Sequence, residues 1–471
     1  MNLFRYFKPW EKSFVDALSY ACAYKKEAAY VTAVALEKRP DEIVVWLAAN
    51  QGVEPAVVNF VNNTLIIVQW LAANPSAHLR NEDGKATLRL LTEQVLRFNS
   101  PKIKAYYGQI MNLAAPAVMG KLSGKEYEGD SEIVIFKQWL SENLQKNGVQ
   151  LQEADMVNLA SKCHDSRHIF GVLRRLAIES HDPPTFERLF KLLGKLGKHV
   201  VMCKRIVEAT RVLRSDFARG MRVETVPGSR PVPMPFTPRK YNIRDISNRM
   251  FRDTTERDQF ISRLRTIYNP DELDRLLAQE HLSGKTIVHA ELLILDHFER
   301  TGGDFLNNAD KYIGCSKPAC YLCYQYICSH PGGYVRPPSH QKLYVKWRLP
   351  DIRENERNAA TRLRNQDQIL RRMIEFVRRD LKNDIANRVG KLKPHPDSTA
   401  GGTSTVFEIG TGLEASMGSL SFQELRQQFE PEPKPGISSA SASSAQSRSS
   451  IITASSESDE AEYSSDGGVG I

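Results

Sequence analysis

The chain has 471 residues, 41% of them hydrophobic, enough for two or three packed cores, since single cores stop growing near roughly 250–300 residues. Its 64 Lys and Arg outnumber 55 Asp and Glu, for a formal net charge of +9. That balance points to an anionic partner such as nucleic acid, nucleotide or a membrane surface, with a solvated scatter of basic side chains as the plain alternative. Seven cysteines in so long a chain, four of them between 315 and 328, argue against a disulfide scaffold and for a reduced intracellular protein, cytoplasmic or nuclear, with a local metal site.

The first residues, "MNLFRYFKPWEKSF", have no uninterrupted apolar core of signal-peptide length. From there to residue 226 the pattern reads as one helical domain. "SFVDALSYACAYKKEAAYVTAVALEKR" and "ERLFKLLGKLGKHVVMCKRIVEATRVLRSDF" combine good helix formers with apolar spacings of three and four. "AVVNFVNNTLIIVQWLAA" is the most apolar stretch, but Asn59, Asn62, Asn63 and Gln69 interrupt it. Asparagines are costly at a bilayer centre, so a buried helix is expected and no membrane partner. The string "WLAAN" occurs at Trp46 and Trp70. Without a third copy it does not define a solenoid. His164 and His168 are spaced to share a helix face beside Cys163. They lack a second cluster, and a partly exposed helix face is the expectation.

Residues 227–245 hold "PGSRPVPMPFTP", a proline-rich linker or surface strap. The next unit, 246–350, opens with two helices. It then alternates strands at "KTIV", "KYIGC" and "KLYVKWRL" with helices at "AELLILDHFERTGG" and "ACYLCYQYICSHPGG", an α/β pattern. Residues 351–394 read as one long basic helix. Its apolar stripe is Leu370, Ile374, Val377, Leu381 and Ile385, and Arg371, Arg372, Arg378, Arg379, Lys382 and Arg388 lie on the polar side. That side is either a solvated face or a track for a phosphate backbone. Residues 395–471 turn to Ser, Ala, Gly, Pro and acid and are expected to be disordered.

The chemistry concentrates in two short stretches, "TIVHAELLILDHF" and "YIGCSKPACYLCY". His289 lies where a strand becomes a helix, and Glu291 lies in that helix's first turn. Cys320 and Cys323 lie at the start of the next helix, whose first turn Pro318 marks. The i,i+3 spacing puts both sulfurs on one face, near the positive end of the helix dipole. One nitrogen and two sulfurs leave a tetrahedral metal one open position, as a catalytic zinc requires. Zinc lowers the pKa of a bound water to roughly 7. A carboxylate beside the metal, Glu291, can then take the proton and return it to a ring nitrogen and a leaving amine.

The order H-x-E and later C-x-x-C, thirty-one residues apart, resembles the cytidine deaminase-like superfamily. Within it, "GCSK..CxxC" is similar to a branch expanded in fungi and related to bacterial toxin deaminases. The resemblance spans roughly residues 268–350. It implies His289, Cys320 and Cys323 as zinc ligands, Glu291 as the proton shuttle, and Ser316 and Lys317 as that branch's Ser-Lys pair. Cys315 and Ala290 join these two as second-shell or substrate candidates. The usual pattern has proline directly before the first cysteine, and here Ala319 intervenes.

The expected fold is α+β: a large all-α N-terminal domain, a three-layer α/β deaminase-like domain, a long C-terminal helix and a disordered tail. The expected function is zinc-dependent hydrolytic deamination of a nucleobase, of cytidine or adenosine type, in nucleic acid or nucleotide. The rival is a closed Cys₃His site, with Cys315 as fourth ligand, in a structural-zinc nucleic-acid or protein interaction module. A degenerate, non-catalytic fold is a third possibility. Cys328 reads as a buried helix residue. Tyr321, Tyr324, Tyr326, Tyr334, Tyr344 and Trp347 surround the motif. Each reads as core first and as a base-stacking surface second. Tyr344 and Trp347, three apart on a strand, would face opposite sides. His330 and His340 are candidate substrate contacts.

Overall fold

The structure, a computed structural model, describes residues 8–387 apart from 77–80, 147–148, 180–181, 234–241, 270, 276, 278–284, 345 and 357. The expected tail, the end of the basic helix and Arg388 lie outside the described residues.

Helix α1 (Lys8–Cys22) leads into strands β1 (Thr32–Lys38) and β2 (Ile43–Ala49). The hairpin pairs in register from Thr32↔Ala49 to Lys38↔Ile43. A mostly helical region follows: α2 (Pro55–Ala73), α3 (Glu82–Phe98), α4 (Ser100–Gln109), α5 (Ala115–Lys121), α6 (Ser131–Asn143), the small hairpin β3 (Gln145–Lys146) and β4 (Val149–Gln150), α7 (Glu153–Asp165), α8 (Gly171–Glu179), α9 (Pro183–Val212) and α10 (Arg214–Phe217). Then come β5 (Met221–Thr225), β6 (Val232–Pro233), α11 (Ile243–Met250), α12 (Thr254–Ile267), β7 (Lys285–Thr286), α13 (Ala290–Thr301), β8 (Gly314–Cys315), α14 (Tyr321–Ser329) and α15 (Ala359–Asn387).

The principal sheet has the order β5-β2-β1-β8. β5 runs parallel to β2, and β8 runs antiparallel to β1 through Ala33↔Cys315 and Val34↔Gly314. The N-terminal region is therefore mostly but not wholly helical, a correction to the all-α expectation. Ala, Leu, Glu and Lys in the stretch at 32–38 favour a helix. Alternate burial decides otherwise, since period-two residues serve two different cores. Val34, Leu36, Ile43, Val45 and Leu47 face α1, α2 and α9. Ala33, Ala35 and Ala48 face α13 and α14, where small side chains let those helices approach. Helices thus cover both faces, and strands from either side of the proline-rich segment at 227–245 share one sheet. Within that segment, Val232 and Pro233 pair with Thr286 and Lys285.

A second core lies among α4 to α9 and is built around Phe136, Phe170, Phe186 and Trp139. α9 runs 30 residues and contributes to both cores. α2 is long and apolar enough to cross a membrane, and half of its most apolar window is buried in the fold. Of the two "WLAAN" strings, one ends β2 and the other ends α2, so they are not a structural repeat. His164 ends buried on α7, bonded to Asp165, while His168 follows the helix and is exposed. Their spacing therefore does not put them on one helix face.

Candidate metal centre

Both motif helices begin at a metal-ligand candidate. His289 is the N-cap of α13, with extended φ −75° and ψ 154°. Cys320 is the N-cap of α14, and its sulfur accepts the Cys323 backbone N–H at 3.4 Å. The helix thus starts at Tyr321, and Pro318 lies outside it, contrary to the sequence reading. Ala319 makes a parallel bridge to Ser339, donates to the Pro338 carbonyl at 2.8 Å and is 2% exposed. The inserted alanine is held by that ladder, and Cys320 still arrives at the helix N-terminus.

His289 Nδ1 stands 3.5 Å from Cys320 Sγ and 3.4 Å from Cys323 Sγ. The three candidate ligand atoms all lie within 4.8 Å of one another. Burial opposes ionisation of Cys320, but bonds from Cys323 and His289 outweigh it and hold this thiol well below the usual range. Burial and the neighbouring Cys320 charge keep Cys323 above that range. Trp347 Nε1 donates to Cys323 Sγ at 3.2 Å. The Tyr344 ring lies 6.0 Å from the His289 ring.

Tyr344 and Trp347 therefore both reach the ligand set, which corrects the strand geometry expected for "KLYVKWRL". Trp347 N–H donates to the Tyr344 carbonyl at 3.3 Å, which brings the two residues together, and an isolated bridge joins Trp347 to Ile287. His340 packs on Tyr344, 5.8 Å between ring centres. His330 instead lies between Tyr326 and Tyr334, where burial holds its pKa down.

Glu291 is 5% exposed, and burial raises its carboxyl above the ordinary range. It lines a small pocket with Cys315, Lys311, Tyr334 and Pro337. Cys315 Sγ lies 3.9 Å from Glu291 Oε2. It does not belong to the three-residue group, so the closed Cys₃His arrangement is not the one these side chains form. Ser316 secures the sheet edge: its Oγ accepts Thr32 N–H at 3.0 Å, and its N–H donates to the Thr32 carbonyl at 2.9 Å. Lys317 Nζ lies 3.5 Å from the Lys26 carbonyl.

One residue at this centre escaped the sequence reading. Asn50, just past β2, accepts the Ala290 N–H at 2.8 Å and donates to the Ala28 carbonyl at 2.8 Å. It stands at the end of a hairpin whose sequence predicts a helix.

Residues 288–351 match a family model described as an OTT_1508_deam-like deaminase. No curated protein and no solved structure matches the chain. The chain carries a deaminase-like domain, and in it His289, Cys320 and Cys323 form a group able to hold a metal ion.

Proposed function

We propose that the protein is a zinc-dependent hydrolytic deaminase acting on a nucleobase, within nucleic acid or a nucleotide, and that it belongs to the branch expanded in fungi. The observation that carries this reading is the convergence of one imidazole nitrogen and two thiol sulfurs beside a buried carboxyl group. The donor set fits zinc, which takes nitrogen and sulfur ligands tetrahedrally. When bound, zinc would ease loss of a proton from water near neutral pH.

The chain's own residues supply the rest. His289 and the two cysteines project from helix N-termini, where the dipole favours thiolate. Trp347 orients Cys323. Glu291 is kept out of water, so its carboxyl favours holding a proton that it can pass to a ring nitrogen and then to the departing amine. Tyr344 offers an aromatic face beside His289 on which a flat ring can stack. All seven cysteines are free thiols, which suits a reducing compartment.

The test is mass spectrometry of nucleosides, nucleotides and digested nucleic acids after incubation with wild type and with Glu291→Gln. A base that gains about one dalton with wild type alone supports the reading. No such gain in any substrate, from protein shown to contain zinc, would overturn it.

A further inference from the structure

The cations of this chain are not spread evenly. From Lys311 to Pro350 the sequence has no Asp or Glu, yet it holds six Lys and Arg, at 311, 317, 336, 342, 346 and 348. That run contains both cysteines of the metal-ligand group, so positive charge gathers on the segment that builds the centre. Two of the six are engaged elsewhere. Lys317 Nζ lies 3.5 Å from the Lys26 carbonyl, and Arg348 is paired with Asp351. Glu291, the carboxyl group at the centre, is buried.

Lys342 and Lys346 are tied by their backbone to the neighbours of the ligands. The Lys342 carbonyl accepts the N–H of Tyr321, which follows Cys320, and the Lys346 carbonyl accepts the N–H of Ile287, two residues before His289, both at 2.9 Å. Tyr344 lies between the two lysines in the chain, and its ring is 6.0 Å from that of His289. Tyr344 is 40% exposed, and His289 is half-buried. The centre therefore opens to solvent beside an aromatic ring with a lysine on each side of it in sequence. The same loop holds a strained residue. Gln341 has φ 60°, in the left-handed region that favours glycine. Ser339 Oγ accepts its N–H at 3.1 Å, and His340 Nδ1 accepts the next N–H, of Lys342, at 3.0 Å. Such strain persists where neighbouring bonds over-determine it, and it gathers at ligand sites.

We propose that Lys342, Tyr344 and Lys346 form a docking edge for single-stranded nucleic acid, so that the deaminase acts on a base within a strand and not on a free nucleotide. The inference rests on the deaminase reading and narrows its substrate. Tyr344 stacks one base of the strand, and the two ammonium groups bind phosphates to either side of it. Stacking on the ring needs an unpaired base, which a closed duplex does not offer. A free nucleotide has phosphate at one end only. Two lysines anchored at different ligand elements, with the ring between them in the chain, suit a polyanion that continues in both directions.

Fluorescence anisotropy of the full, zinc-loaded chain with short labelled DNA and RNA single strands tests this, with the matching duplexes and mononucleotides as competitors. A single strand of one or both kinds binds, and duplex and mononucleotide compete at least about tenfold more weakly. Lys342→Gln and Lys346→Gln each make the logarithmic salt dependence shallower by about 0.7. Tyr344→Ala weakens binding about tenfold, and Tyr344→Phe restores it. Tyr344 is exposed, so its two variants carry the test if either lysine variant does not fold. Mononucleotides that bind as tightly as strands, no binding of any strand, or strand binding unchanged by the substitutions overturns the proposal. Because the readout is binding, the two readings fail separately. A strand held at this edge with no base converted removes the deaminase reading, and conversion of mononucleotides without strand binding removes this one.

Discussion

Asn50 and Ala290, 240 residues apart in sequence, are joined by a 2.8 Å hydrogen bond from the Ala290 N–H to the Asn50 side-chain carbonyl. That bond ties the β1–β2 hairpin to the turn that presents His289. The same amide also donates to the Ala28 carbonyl, so one side chain bonds both the chain before β1 and the start of α13.

Asn50→Ala leaves the buried Ala290 N–H without an acceptor, at a cost of about 1–3 kcal/mol. The expected result is a lower denaturation midpoint together with weaker zinc binding. Asn50→Asp keeps the acceptor and loses the donor to Ala28, so it falls between alanine and wild type. Equal stability of wild type and Asn50→Ala in denaturant melts would show that the bond does not support the site.

Trp347→Phe removes the N–H that Cys323 accepts and keeps much of the ring. Partners that orient a metal ligand are typically worth 10–100-fold in affinity, and a loss of about that size is expected here. Competition with a chromophoric chelator measures it. Unchanged zinc affinity would mean that the contact at 3.2 Å is packing only.

Gly314 marks the closest approach of β8 to α1. A Cβ there would meet the Val15 backbone carbonyl carbon at 2.7 Å. Gly314→Ala must shift the strand that carries Cys315, and such overpacking costs about 1–3 kcal/mol. Calorimetry of the variant reads the loss, and a wild-type midpoint would refute the close fit.

Glu11, in the first turns of α1, is 5% exposed, and its Oε1 has no hydrogen-bond partner among the described residues. Burial first, then the nearby Asp310 and Asp216, lift its carboxyl from the ordinary 4.5 to about 7. The folded state therefore holds a proton that the unfolded chain releases. Its contribution to stability is complete below pH 4.5 and is lost as pH rises through about 7. Glu11→Gln stays neutral throughout. It should match wild type near pH 4.5 and exceed it above pH 7 by up to about 3 kcal/mol. A stability difference that does not grow with pH would contradict this.

What could be read from the sequence was local. His289, Glu291, Cys320 and Cys323 lie within helix starts whose caps and spacings are themselves sequence signals, and Gly302, with φ 71°, closes α13 where the glycine pair predicted. The sheet was not legible in the same way. Ala33, Ala35, Leu36, Glu37 and Lys38 of "TAVALEK" favour a helix, and its strand state is fixed by β2 on one side and by Cys315 on the other. Thr32 meets Ser316 across 284 positions, a distance over which no periodicity operates. Tyr344 and Trp347 differ for a related reason: β-rich composition predicts extended chain, but the Trp347 N–H to Tyr344 carbonyl bond brings both side chains to the ligand set.

In the proposed centre His289, Cys320 and Cys323 hold a metal and one position is left for water. X-ray absorption at the zinc edge, on the full chain loaded with one equivalent of zinc, tests it most directly. Two sulfur neighbours near 2.3 Å with one nitrogen and one further light atom near 2.0 Å, unchanged in Cys315→Ser, are the predicted result. A shell of three sulfurs that falls to two in Cys315→Ser would contradict it.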